Sequence, residues 1–143
     1  MNFAFSAQEE QYRAEVREFL EDYRGLDSFF LQGHRWPEVK SLFREMGERG
    51  WLSLSWPTAW GGQERGPVYE YILWDEVAYA RAARNPLSAG IVARTLLRYG
   101  TEEQKAHWLP EIRCGQTHFS LGYSEPQAGS DLASVRCRAE LQG

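Results

Sequence analysis

The chain has little sulfur: its 143 residues include two cysteines, Cys114 and Cys137, and two methionines. The cysteines show neither C-x-x-C spacing nor paired histidines nearby, so a zinc site and a disulfide framework are both set aside, and reduced thiols in the cytoplasm are expected. No apolar run approaches the ~20 residues needed to cross a bilayer. The opening stretch MNFAFSAQEEQYRAEV is acidic where a signal or transit peptide is basic. There is no basic excess: net charge is -4 and the pI about 5.4, against the positive face that sequence-independent nucleic-acid binding requires. Histidines number three, His34, His107 and His118, without metal-ligand spacing. The nucleophile elbow G-x-S-x-G, the phosphate loop G-x-x-x-x-G-K-[ST] and the dinucleotide fingerprint G-x-G-x-x-G are all missing.

The composition itself is that of a soluble globular chain, 43% hydrophobic and 25% charged, long enough to bury a core. Aromatic residues are plentiful at 14% (six Trp, seven Tyr, seven Phe), which favours a well-filled core over a ligand cage. Ser6 and Glu9 form a capping box that opens a helix carrying Tyr12, Val16, Phe19, Leu20 and Tyr23 and ending before Gly25. A loop through Gly33 and His34 comes next. Pro37 suits the first turn of a second helix, with Val39, Leu42, Phe43 and Met46 as its buried stripe and Gly50 as its cap. The run WLSLSWPTAWGGQERG breaks the periodicity and reads as a packed, aromatic-rich connection.

A third helix is expected over Val68–Arg84, apolar around much of its circumference and therefore buried in a bundle. Asp75 and Glu76 within it are read as facing solvent or pairing with arginines such as Arg81. Pro86 starts a further helix with Leu87, Ile91, Val92, Leu96 and Leu97, closed by Gly100. Thr101 and Gln104 form a second capping box, and Pro110 is expected to kink or end the helix they open near its last turn. The pattern then turns strand-like at THFSLGYS, and again where Val135, Cys137, Ala139 and Leu141 alternate with Arg136, Arg138, Glu140 and Gln142. The expected fold class is mainly α: a helical bundle over 1–115, then the first strands of a β domain over 116–143. Two strands alone have no stable core, so either they pack on the helices or the chain is the front part of a longer protein, and the second is expected.

Between the two strand-like runs lies LGYSEPQAGSDLAS. Ser124 offers a hydroxyl that donates and accepts, and Ala128-Gly129-Ser130 offers successive amides able to converge on an anion. Gly129 permits close approach of the backbone to a ligand. Glu125 and Asp131 read as turn and cap residues that tie the loop to its own backbone. On the residues alone, a polar surface turn and a pyrophosphate or heterocycle site both remain open.

The segment YSEPQAGSDLAS resembles the flavin-binding signature T/S-E-P-x-A-G-S-D of the acyl-CoA dehydrogenase family. GERGWLSLSWPTAWGG resembles that family's connection between early helices, and RYGTEEQKAHWLPEIRCGQ the run leading to its first strand. The resemblance implies an N-terminal helical domain, a middle β domain and a C-terminal helical domain, with FAD between the last two along a subunit interface. Carried over, Leu121, Gly122, Tyr123 and Ser124 line the flavin. Gly129 and Ser130 sit by its phosphates and the CoA arm, Ser130 being the candidate substrate contact. The implied reaction is α,β-dehydrogenation of an acyl-CoA, with electrons passing to an electron-transfer flavoprotein and the enzyme working as a homo- or hetero-oligomer. The GYSEP form resembles bacterial members with varied, sometimes cyclic or branched substrates. Gln127 stands where the family usually has Gly. The family's catalytic glutamate lies in the C-terminal domain, so no catalytic residue is assigned and the isolated chain is expected to be inactive. Two alternatives accompany this reading: a non-catalytic partner subunit, and a related flavin oxidase or monooxygenase.

Overall fold

The computed structural model describes residues 4–26, 35–84 and 87–141. The expected loop at Gly33 and His34, the helix start at Pro86 and the alternation at Gln142 lie outside the described residues. Five α-helices are present among them: α1 Ala7–Leu20, α2 Trp36–Glu48, α3 Pro67–Tyr79, α4 Ala93–Tyr99 and α5 Glu102–Arg113. The mainly helical class is thus as expected.

Both capping boxes form. Ser6 Oγ accepts from the Glu9 amide at 3.3 Å while Glu9 accepts from the Ser6 amide at 2.6 Å. Thr101 and Gln104 make the same reciprocal pair at 3.2 and 2.9 Å. Each box satisfies amides that the first turn of a helix leaves without intrahelical acceptors. Gly50 stands just past α2 in the left-handed region at φ 70° and donates to the Gly47 carbonyl, closing that helix as its sequence predicts. Pro110 falls in the last turn of α5, which ends three residues later at Arg113.

The core gathers Tyr12, Val16 and Leu20 of α1 with Leu42, Phe43 and Met46 of α2 and Ile72, Leu73 and Val77 of α3. Trp51 stands edge-on to Tyr12 and Phe19, with ring centroids 5.8 and 5.1 Å apart, the geometry that the charge distribution of aromatic rings favours. A second cluster joins Trp56 to Ala93 of α4 and to Leu109 and Ile112 of α5. The connection between α2 and α3 is packed as expected. Its backbone doubles back through hydrogen bonds from Gln63 to Ser53, Glu64 to Trp56 and Arg65 to Leu54, and buried Ser53 donates to the Gly61 carbonyl at 3.1 Å.

Three expectations need correction. The third helix stops at Tyr79 rather than Arg84: Arg81 turns left-handed at φ 53°, and the Ala82 amide reaches back to the Val77 carbonyl. This closing turn buries Ala82 and Ala83, and Gly25 donates to the Ala80 carbonyl. Burial of the alanines outweighs the helix propensity of the stretch. Nor is α3 covered all round, for Tyr71 and Tyr79 are 60% and 77% exposed. Finally, Glu76 pairs with arginines as expected, but with two of α1 rather than with Arg81. Its carboxylate is 1% exposed and accepts from Arg13 Nε at 2.5 Å and Arg17 Nε at 2.7 Å. Burial pushes this carboxyl up, but the hydrogen bonds from Arg17 and Arg13 outweigh it and hold the group below the ordinary carboxylate range.

Two outcomes are expected for stability, both read by urea unfolding. Glu76→Gln is expected to cost about 2 kcal/mol at neutral pH, below the usual 3–5 for breaking a buried pair because both guanidinium groups keep contact with water. Because the folded-state pKa of Glu76 is depressed, its contribution is present above the unfolded value and lost as pH falls through the folded one, so the gap between wild type and variant narrows in acid. Arg81→Gly is expected to stabilise by about 1 kcal/mol, by relieving the left-handed penalty on a residue with a Cβ.

Candidate functional site

The chain leaves the helices at Gly115, whose φ of 67° and close approach to Phe43 admit no side chain: a Cβ there would lie 2.3 Å from the Phe43 carbonyl oxygen. Residues 117, 118 and 119 are each fastened to a different element. Thr117 Oγ1 donates to the Glu111 carboxylate of α5. The His118 ring lies between Trp36 and Phe43 of α2, at 5.3 and 5.0 Å, and burial, with the nearby Lys40 charge, holds its imidazole below the usual range. The Phe119 amide donates at 2.9 Å to the buried Ser88 hydroxyl, while its ring stands edge-on to Trp108 of α5. Ser88 belongs to a π-helical turn, Leu87–Val92, that runs into α4. Such turns are rare and recur at functional sites.

Beyond this anchor the chain is exposed and without regular secondary structure from Leu121 to Ser124. The strands expected at THFSLGYS and from Val135 to Leu141 form no ladder. Among the described residues the one β-bridge links Glu125 and Ala128, whose amides and carbonyls exchange two 3.0 Å hydrogen bonds. A strand needs a partner to satisfy its backbone, and neither run finds one within the described residues.

The loop is organised by Glu125. Its carboxylate accepts from the Arg136 amide at 3.0 Å, the Cys137 amide at 2.6 Å and Gln127 Nε2 at 2.5 Å. The bonds from Arg136 and Cys137, then Gln127, hold this carboxyl below the ordinary carboxylate range. Asp131 participates through its carbonyl, which accepts from the amide and hydroxyl of Ser134 at 3.2 and 2.9 Å. Glu125 thus ties the loop to itself with its side chain as expected, whereas Asp131 does so through its backbone carbonyl alone and gives the turn at Leu132–Ser134 no side-chain cap. Ala128 is buried, whereas Gly129 and Ser130 are exposed, and a Cβ added at Gly122 or Gly129 would meet nothing within 4 Å. No hydrogen bond among the described residues engages the amides of Gly129 and Ser130 or the hydroxyl of Ser124. The six residues singled out from the sequence therefore share one open, solvent-facing stretch that offers polar hydrogen to a ligand.

The family model for "Acyl-CoA dehydrogenase, N-terminal domain" matches residues 6–116. The chain belongs to the acyl-CoA dehydrogenase family. The acyl-CoA dehydrogenase FadE26 of Mycobacterium tuberculosis is 40% identical over the whole chain, which covers 37% of that protein, and FadE29 of the same organism is 33% identical over 95% of the chain and 36% of its own length. Among solved structures, the "Tcur3481-Tcur3483 steroid ACAD" superimposes at a TM-score of 0.87 with 36% identity, over 100% of this chain and 38% of the other. The ChsE4-ChsE5 complex of Mycobacterium tuberculosis gives 0.82 with 38% identity, over 95% and 35%. The chain spans little more than a third of the length of these relatives.

Two sets of structural contacts escaped the sequence reading. Ser88 carries no local signal, since its partner Phe119 is 31 positions away. Arg13 and Arg17 did carry one: four residues apart on α1, they place two guanidinium groups on one helix face. Removing the Ser88 hydroxyl by Ser88→Ala is expected to cost about 1–2 kcal/mol in urea unfolding, because the Phe119 amide is left without its acceptor.

Proposed function

We propose that this chain is the N-terminal portion of an FAD-dependent acyl-CoA dehydrogenase: helical domain over 1–115, start of the β domain over 116–143. The observation that carries the reading is the family's signature loop held closed by Glu125, with the Ser124 hydroxyl and the Gly129 and Ser130 amides unused and outward. These groups suit FAD. Hydroxyl and amide donors match the carbonyl and nitrogen acceptors of a flavin pyrimidine edge, and successive amides at an exposed glycine match a pyrophosphate. When bound, the flavin accepts the β-hydrogen of the acyl thioester as hydride.

The chain's own residues bind and orient in this reading. Leu121, Gly122 and Tyr123 form one edge of the flavin cleft, Ser124 donates to the ring, and Gly129 and Ser130 face the phosphates, with Ser130 also toward the CoA arm of the substrate. No carboxylate here is assigned as the base: Glu76 is locked between two arginines and Glu125 is occupied by loop amides. The base therefore comes from outside this chain, and the chain alone has no dehydrogenase activity. Electron transfer to a flavoprotein partner, oligomerisation and a cytoplasmic location belong to the same reading. Because the solved relatives include a steroid acyl-CoA dehydrogenase, a bulky ring-bearing acyl-CoA is the favoured substrate class. Two of those structures are named for paired proteins, which favours as a second reading a subunit that completes its site with a different chain.

Titration of FAD with the chain, monitored by quenching of flavin fluorescence, tests the assignment. Saturable quenching is expected, weakened about fivefold by Ser124→Ala, the equivalent of one hydrogen bond of about 1 kcal/mol. Folded chain that leaves flavin fluorescence unchanged overturns the flavin reading.

A further inference from the structure

The Glu125 carboxylate does more than occupy a turn. An ionised carboxylate has room for about four hydrogen bonds. Here Cys137 binds Oε1, while Arg136 and Gln127 both bind Oε2. The donors from Arg136 and Cys137 are consecutive amides at the far end of the loop, so one side chain bridges an excursion from residue 125 to residue 137. Within it the paired bonds between Glu125 and Ala128 close a smaller ring, and the buried Ala128 side chain pins that ring. Gly129 and Ser130 emerge directly from the pinned position with their amides available. Closing a loop costs chain entropy, and a loop already closed spares a ligand the cost of ordering it.

Gln127 gives the arrangement a feature of its own. Its side-chain amide donates to the same oxygen that receives Arg136. A glycine, the residue usual at this position in the family signature, has no side chain to do so. The longer residue is therefore accommodated by engaging the clamp, with the loop's ring bonds intact.

We propose that Glu125 is a positioning residue for the cofactor: clamped by the Arg136 and Cys137 amides and braced by Gln127, it holds the Gly129–Ser130 turn in its binding conformation before FAD arrives. This rests on the flavin reading, and its test separates the two. Amide hydrogen exchange is measured by NMR at residue resolution on the 143-residue chain, with and without FAD, for the wild type, Glu125→Ala and Gln127→Gly. Exchange at Arg136 and Cys137 is expected to quicken about tenfold in Glu125→Ala and less in Gln127→Gly, with protection in α1–α5 unchanged. FAD is expected to slow exchange at Gly129 and Ser130 in the wild type, and its dissociation constant to rise about tenfold in Glu125→Ala, about 1.4 kcal/mol. A residue that merely stabilised the fold would shift protection in the helices as well.

Unchanged exchange at Arg136 and Cys137 overturns the clamp, whatever FAD does. Lost protection there with unaltered FAD affinity overturns the positioning role and leaves the flavin reading standing. No effect of FAD on the wild-type chain overturns the flavin reading and the positioning role together, while the clamp stands on the exchange data.

Discussion

The helical domain turns on one buried carboxylate. Glu76 sits in the inner face of α3, 1% exposed, where an unpaired charge would be prohibitively costly. Its hydrogen bonds to Arg13 and Arg17 fix both the rotation of α1 and its height along α3, because only one register brings two guanidinium groups a turn apart onto the same carboxylate. The apolar contacts of Val16 and Leu20 with the rest of the core are compatible with small slides, as apolar packing lacks direction. The ion pairs lack that latitude. Both arginines keep their outer atoms in water, so the desolvation cost falls mainly on Glu76.

The rigid frame also sets the path of the C-terminal segment. Thr117, His118 and Phe119 are fastened in turn to α5, to α2 and to the π-helical turn ahead of α4. Three consecutive attachments in different directions leave the backbone little freedom when it emerges toward Leu121. The stretch from Leu121 onward starts from a defined point and direction, although most of it is exposed and Ala128 is its one buried residue among those described. Its order comes from Glu125, which replaces the missing strand partners with side-chain acceptors for two amides. A helical domain and a polar loop, which have little in common as sequence, are thereby coupled through a three-residue joint.

Surface chemistry divides the aromatic residues into two sets. Tyr71 and Tyr79 on α3, Tyr99 at the end of α4 and Tyr123 beside the loop are well exposed for their size, whereas Trp51 and Trp56 are buried. Aromatic residues on one side of a helix carry apolar area with a polar tip, suited to faces that meet other protein. The apolar character of α3, which in the sequence suggests burial on all sides, is thus divided between the core formed here and a face directed away from it.

What the sequence determined by itself were the features written in neighbouring residues. Both capping boxes, the buried stripe of α2, the left-handed Gly50 and the self-tied Glu125 loop were legible because each depends on side chains and amides within a turn or a short loop. The family signature was legible for the same reason. Tertiary structure alone decided the pairing of Glu76 with α1, the early end of α3 at a left-handed Arg81, the π-helical turn at Ser88 and its bond to Phe119, and the lack of a ladder, among the described residues, at the two strand-like runs. Each of these depends on which distant group lies within hydrogen-bonding reach, and a local pattern carries no record of that distance. A strand is the plainest case, since alternation prepares a segment for a sheet but only a second backbone makes it one.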